Sequence, residues 1–238
     1  MRDELHQPSE KASMYKAEIG RIVRERLSNT PNVVKVPSPQ LDLFVARNFL
    51  TQDECDKLIE IIDSNRQPSG VLGPDMDPDY RTSESCNVNP FDPFIKQIED
   101  KIANLMPIDR SHGETIQGQR YSVGQQFKPH HDFFYTDQPY WPEQERTGGQ
   151  RTWTVMMFLN EPEEGGHTAF PEAGVKITPK TGNLLAWNNL TLAGYPNSYS
   201  LHTGTPVLGG VKYVITKWYR ERPWGYSNAD PMAFAAKR

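Results

Sequence analysis

Two histidines and one aspartate carry the chemistry that is easiest to read in this sequence. His130 and Asp132 stand two residues apart in FKPHHDFF. The stretch reads as a strand, and alternate side chains of a strand share one face. An imidazole and a carboxylate are thereby set side by side, with His131 turned to the opposite face. A third ligand is required, and His202 supplies one from YSLH, a second β-rich segment seventy residues beyond Asp132. In a jelly roll, strands that far apart in sequence become neighbours in space. Two histidines and one carboxylate form the facial triad of non-haem Fe(II) oxygenases, whose other coordination positions stay open; zinc on the same three ligands is the rival. Alone, His-x-Asp is a short motif that recurs by chance. His6, His112 and His167 read as surface or loop residues.

The elements that must position these groups follow from periodicity. Tyr15, Ile19, Ile22, Val23 and Leu27 recur at helical spacing among Lys16, Arg21, Arg24, Glu25 and Arg26. They predict an amphipathic helix over 11–28, packed on the outside of the main domain. Thr30-Pro31-Asn32 ends it, and short strands follow at 33–36 and 41–46, split by Pro37-Ser38-Pro39. Thr51 with Glu54 reads as a capping box that opens a helix over 52–65. A second such stripe predicts a helix over 93–105, after a loop at 67–79 rich in Pro, Gly and Asp. Beyond Gly113 the period falls to two, with β-rich segments near 115–123, 127–133, 151–159, 167–170, 174–178, 183–187, 199–203 and 211–220.

Short strands preceded by helices predict an α+β, mainly β fold: a double-stranded β-helix, or jelly roll, with supporting N-terminal helices. The chain divides accordingly into a helical extension (1–30), a helical and strand support region (31–112), a jelly-roll core (113–224) and a tail (225–238). The segment 136–150, TDQPYWPEQERTGGQ, directly follows the His130/Asp132 strand. Its Pro139, Pro142, Gly148 and Gly149 set around Tyr140 and Trp141 predict a mobile lid.

Composition removes several classes of function. The 238 residues are 36% hydrophobic with a mean hydropathy of -0.69, and no apolar run approaches the ~20 residues of a membrane span. A transmembrane protein is excluded. Residues 1–10 are polar and lack the apolar core of a signal peptide, so a cytoplasmic location is expected. Cys55 and Cys86 are too few for an all-cysteine zinc site. With 26 Lys+Arg against 30 Asp+Glu, no basic field favours nucleic acid.

From about Val33 to Arg222, the sequence resembles the prolyl 4-hydroxylase family of Fe(II)/2-oxoglutarate-dependent dioxygenases. The resemblance rests on RYSVGQQFKPHHDFF (120–134), GGQRTWTVMMFLN (148–160), GGHTAFP (165–171), PKTGNLLAWNN (179–189) and LHTGTPVLGGVKYVITKWYRER (201–222). FLTQDEC (49–55) and RTSES (81–85) resemble the family's amino-terminal part, and the first thirty residues lie outside the resemblance. It implies that His130, Asp132 and His202 bind iron, that Lys212 pairs with the distal carboxylate of 2-oxoglutarate, and that the Tyr121 hydroxyl bonds the same carboxylate. Thr168 is implied for that pocket too, and Glu114, Arg151 and Trp218 for substrate contacts; Trp187 is a further cavity-lining candidate.

The implied reaction hydroxylates peptidyl proline to 4-hydroxyproline with O2, releasing succinate and CO2, with ascorbate as a reductant. The partner is then a proline-containing peptide or protein. Two departures fall on the substrate side: Phe127, where relatives often have Tyr, and Arg220, where they often have His. The nearest alternative is the same oxygenase chemistry on a non-prolyl side chain or a small molecule. A catalytically silent jelly-roll binding module is a further alternative, against which the joint presence of His130, Asp132, His202, Lys212 and Tyr121 counts. No general base accompanies the triad as a zinc hydrolase would need.

Overall fold

The computed structural model describes residues 13–70 and 79–225. Residues 1–12, which include His6, residues 71–78 of the expected loop, and residues 226–238 of the expected tail lie outside the described part. Among the described residues, no helix is long and apolar enough to cross a membrane.

The three long helices begin where side chains take up their first free amides. Helix α1 (Met14–Ser28) is capped by Ser13, whose hydroxyl accepts from the Lys16 amide. Helix α2 (Gln52–Asn65) opens on the expected reciprocal box: Thr51 Oγ1 accepts from the Glu54 amide, and Glu54 Oε2 from the Thr51 amide. At α3 (Pro93–Leu105), Asp92 accepts from the Phe94 and Ile95 amides, and Pro93 costs nothing because its missing N–H would have been free there. Each helix buries one stripe: Val23 and Leu27; Cys55, Leu58 and Ile62; Ile95, Ile98, Ile102 and Leu105. A short fourth helix, α4 (Trp141–Arg146), lies within the segment expected to be a loop.

The strands are β1 (Val33–Lys35), β2 (Leu43–Ala46), β3 (Gln67–Pro68), β4 (Glu84–Asn87), β5 (Gln117–Tyr121), β6 (Phe127–His130), β7 (Arg151–Phe158), β8 (Glu164–Gly165), β9 (Thr168–Phe170), β10 (Val175–Ile177), β11 (Leu184–Asn188), β12 (His202–Gly204), β13 (Val207–Gly209) and β14 (Lys212–Arg220). Eight form an antiparallel sheet in the order β1-β2-β11-β7-β14-β5-β4-β3, four form a second in the order β10-β9-β12-β6, and β13 pairs with β8. The fold is the expected mainly β jelly roll with helices on one face.

The major sheet is buried on both sides. Trp153, Val155 and Met157 of β7 and Ile215 and Tyr219 of β14 pack outward with the helices. Met156 and Phe158, with Val214 of β14, pack inward against Phe170 of the second sheet and against Leu185 and Trp187. The expected support region is woven into this sheet, since β1 and β2 form one flank and β4 and β3 the other.

Two strand ends differ from expectation. The strand near 127–133 stops at His130, so Asp132 comes from the bend beyond it rather than from the pleat. The Gln150 side chain takes the Phe134 amide and carbonyl, which draws the chain off the ladder. Near 199–203, Asn197 accepts from the Tyr199 amide and closes a 3-10 turn over Ser198–Ser200, so β12 starts only at His202.

Gly118 of β5 lies under α2, where an added Cβ would sit 2.4 Å from Ile62 Cγ1 and 3.2 Å from Cys86 Sγ. Gly118→Ala should therefore destabilise the fold by about 1–3 kcal/mol through overpacking. A lowered midpoint in chemical denaturation is the expected result, and an unchanged one would show that α2 yields freely.

Candidate active site

The pairing of β6 with β12 sets His130 directly opposite His202, with ring centroids 4.2 Å apart. Asp132 closes the group: its Oδ1 is 4.0 Å from His130 Nε2 and its Oδ2 is 3.7 Å from His202 Nε2. One ligand atom from each residue lies within 4.8 Å of the others, and no other such cluster occurs among the described residues. Both rings are oriented from behind. His130 Nδ1 is 2.8 Å from the Lys128 carbonyl and His202 Nδ1 is 2.9 Å from the Ser200 carbonyl. A carbonyl only accepts, so each Nδ1 carries the hydrogen and each Nε2 turns its lone pair toward Asp132.

The carboxylate is fixed in the same manner. Thr154 Oγ1 donates to Asp132 Oδ2 at 2.7 Å, and Asn189 Nδ2 donates to Thr154 Oγ1 at 2.9 Å. Burial alone would raise the Asp132 carboxyl, but His202, His130, Arg151 and the Thr154 hydroxyl outweigh it and hold it below its usual range. Burial, reinforced by His202, pushes His130 well below its own. Two ring nitrogens and one ionised carboxylate in a shared pocket are the donor set that a divalent transition metal takes. Phe127 stacks on His130 at 3.5 Å between centroids, while Trp187 and Phe170 stand 4.9 and 5.6 Å from His202, so the walls are aromatic. His131 faces away, bonded to the Tyr135 hydroxyl and the Ser198 carbonyl.

Lys212 and Tyr121 face each other across β14 and β5. The Lys212 ammonium is 3% exposed, lies 5.4 and 5.6 Å from the Tyr121 and Phe158 ring centroids, and has no carboxylate partner among the described residues. Burial pushes its pKa down to about 7. The Tyr121 hydroxyl donates to Gln119 Oε1 at 3.0 Å. Gly166 lies against the lysine stem, since a Cβ there would be 3.2 Å from Lys212 Cδ; two residues on, the Thr168 hydroxyl is buried with no hydrogen-bond partner among the described residues. A lone ammonium, a phenol and an orphan hydroxyl suit an anion with several oxygens.

On the other side of the triad, Glu114 Oε1 and Oε2 accept from Arg151 Nε and Nη2 at 2.7 and 2.8 Å. Arg220 Nε donates to the same Oε1 at 2.5 Å. The Arg151 guanidinium lies between the Trp218 and Phe134 rings, 4.3 and 4.8 Å from their centroids. Burial would raise Glu114, but Arg151 and Arg220 outweigh it and keep it ionised. Burial, with Arg151 nearby, brings Arg220 down to about 10. Glu114 is thus bonded to two arginines, while Trp218 and Arg151 stack as one unit. The structure brings the three implied substrate residues together. It also adds Thr154, Asn189 and Gln150, which no spacing in the sequence announces because their partners lie on other elements.

Residues 116–220 match the family model of the 2OG-Fe(II) oxygenase superfamily. Probable prolyl 4-hydroxylase 10 of Arabidopsis thaliana is 33% identical, covering 91% of this chain and 84% of its own length. Prolyl 4-hydroxylase 2 of the same plant is 33% identical over 79% of this chain and 70% of its own length. The solved viral collagen prolyl hydroxylase of Paramecium bursaria Chlorella virus-1, in a 2OG complex, is 28% identical with a TM-score of 0.60, covering 75% of this chain and 95% of that one. The chain belongs to the prolyl 4-hydroxylase family of 2-oxoglutarate- and Fe(II)-dependent oxygenases.

Two predictions follow from this geometry. Thr154→Val, which keeps the shape and removes the hydroxyl, should weaken Fe(II) or Co(II) binding by about 10- to 100-fold, and Thr154→Ser should restore it. Anaerobic metal titration decides, and equal affinity in all three proteins would detach Thr154 from the metal site. The second concerns pH. With Lys212 titrating near 7 before the anion arrives, the charged form that binds a dianion is already present below that pH. Above it, a proton must be taken up with the ligand, so the 2-oxoglutarate Kd should rise toward tenfold per pH unit. Calorimetry in two buffers of different ionisation enthalpy should show that uptake, and Lys212→Arg should abolish it.

Proposed function

We propose that this protein hydroxylates peptidyl proline at C4, using Fe(II), 2-oxoglutarate and O2 and releasing succinate and CO2. The observation that carries the reading is the joint burial, in one jelly roll, of a two-histidine, one-carboxylate cluster and a lysine ammonium with no carboxylate partner among the described residues. Tyr121 links the two halves, because it lies beside Lys212 and feels the charge of Asp132. The solved relative from the chlorella virus, described as a collagen prolyl hydroxylase in a 2OG complex, supports the assignment of cosubstrate and substrate class.

In this reading His130, Asp132 and His202 would hold the metal. Fe(II), when bound, supplies the O2 chemistry that couples 2-oxoglutarate decarboxylation to oxygen insertion at a C–H bond. Lys212 and Tyr121 receive the distal carboxylate of 2-oxoglutarate, with Thr168 as a further donor. Phe127, Phe170 and Trp187 keep water from the ligand side of the histidines. Arg151, stacked on Trp218, offers a flat cationic surface and one donor with no partner among the described residues, Nη1, to the carbonyls of an extended peptide. Glu114 contributes by fixing that guanidinium. Ascorbate serves as the external reductant, an assignment supported by family membership alone.

The test is aerobic turnover with Fe(II) and 2-oxoglutarate, with and without proline-containing peptides. Succinate should form in proportion to a one-oxygen mass gain that tandem mass spectrometry places on a prolyl ring. Oxygen on another side chain would move the target while leaving the cosubstrate chemistry standing; peptide-independent succinate with no product would remove peptides from the reading.

A further inference from the structure

The segment expected to be a free lid is held along its second half. Strand β14 ends at Arg220, and the chain beyond it binds the segment through its backbone. The Glu221, Arg222 and Gly225 amides donate to the carbonyls of Gln150, Gly148 and Thr147 at 2.8, 3.1 and 3.1 Å. Gly148 and Gly149 lie within this held stretch. With φ of 135° and 74° they follow a path that side chains rarely adopt, and a Cβ on Gly148 would lie 3.2 Å from Arg220 Cγ.

Arg220 then reaches three separate elements with its three nitrogens. Nε donates to Glu114 Oε1 at 2.5 Å, Nη1 to the Gly149 carbonyl at 2.6 Å, and Nη2 to Gln144 Oε1 of α4 at 2.8 Å. Its guanidinium also lies 4.5 Å from the Phe134 ring centroid, the same ring that Arg151 stacks upon. Glu114 Oε1 is shared between Arg220 Nε and Arg151 Nε. The orientation of Arg151 therefore depends on a carboxylate that Arg220 places, and the placement of Arg220 depends on α4. A histidine here has two ring nitrogens and could not make all three contacts at once.

We propose that Arg220 is a positioning residue that couples α4 to Arg151: Arg151 presents its Nη1 to the peptide only while the 141–149 segment is docked on the end of β14. This rests on the reading of a peptide substrate given above, and it deepens that reading by naming the device that controls the peptide side of the site. Neither Arg220 nor Gln144 contacts His130, Asp132, His202 or Lys212, so the device meets the metal side only through the charge of Arg151 near Asp132.

Gln144 offers the clean test, since it is half-buried, touches neither Glu114 nor Arg151, and can be truncated without opening the core. Gln144→Ala should raise the peptide KM by about 3- to 10-fold, and Arg220→Lys by about 10- to 100-fold, as expected for loss of hydrogen bonds to a charged group. In Gln144→Ala, kcat at saturating peptide and 2-oxoglutarate affinity should stay unchanged, and Gln144→Glu, which keeps the acceptor, should restore the wild-type KM. A peptide-independent arm reads the coupling directly. In the holoenzyme, the thermal midpoint shifts of Gln144→Ala and Arg151→Lys should fail to add in the double variant, although the two residues share no contact. Additive shifts, an unchanged KM in Gln144→Ala, or an equal loss of 2-oxoglutarate affinity would each overturn the proposal. Absence of any peptide-stimulated turnover in the wild type would instead refute the peptide reading, with the double-variant result still deciding whether Arg220 couples α4 to Arg151.

Discussion

A buried carboxylate facing two imidazoles is the constraint around which the rest of this structure is arranged. Asp132 is 6% exposed and stays ionised, and removing such a charge from water costs several kcal/mol unless partners replace the lost hydration. One hydrogen bond from Thr154 replaces part of it. The rest falls to positive charge: Arg151 at a distance and, in the arrangement this family uses, a cation between the three ligand atoms. The register of β6 against β12 brings the histidines together. The pairing of β7 with β11 does the same for the carboxylate's support, because it places Thr154 beside Trp187 and brings Asn189 within reach.

The major sheet can carry this polar load because its outer face is closed by the helices. Along β14, Tyr213, Ile215, Lys217 and Tyr219 alternate with Lys212, Val214, Thr216 and Trp218. The first set meets the helical layer and the second lines the inside. Inside, the polar groups find one another: Tyr121 bonds Gln119, and Gln119 bonds Thr216. Lys217, on the outer face, donates to Glu99 of α3 at 2.8 Å and to the Glu114 carbonyl at 2.9 Å. A helix far from the triad thereby sets the backbone of the residue that orders Arg151. Support and chemistry meet in that contact, and the boundary placed at residue 112 from the sequence runs through one continuous sheet.

How much was legible follows from the range of each interaction. The bounds of α2 and α3 agree with expectation because capping chemistry is written within four residues, at Thr51/Glu54 and Asp92/Pro93. The His130–Asp132–His202 cluster was legible because His130 and Asp132 are close in sequence, yet the stated reason was incomplete, since Asp132 sits in a bend and not on the strand. Thr154 and Asn189 were not legible, because a threonine in a strand looks like any strand former until the partner strand is known. Glu114 reads as a substrate contact from resemblance, and only the fold shows both of its oxygens already taken. Helix α4 hid among prolines and glycines; Pro142 in its first turn, where a missing N–H is harmless, was the available signal.

Phe127 and Arg220 act in different layers. Phe127 lies flat on His130, with ring planes 17° apart, while the Arg81 guanidinium sits 4.8 Å from its centroid and Tyr80 meets it edge-on at 6.0 Å. A bare phenyl ring fills that stack without a hydroxyl that would need a partner against the imidazole. It steadies the ring plane that Lys128 already orients from behind. Arg220, in contrast, touches no ligand of the triad and gathers Glu114, Gly149 and Gln144 instead. One residue thus adjusts the wall of the metal side and leaves its donors unchanged. The other ties the Glu114–Arg151 pair to a segment of the surface and leaves the ligand atoms of the triad untouched.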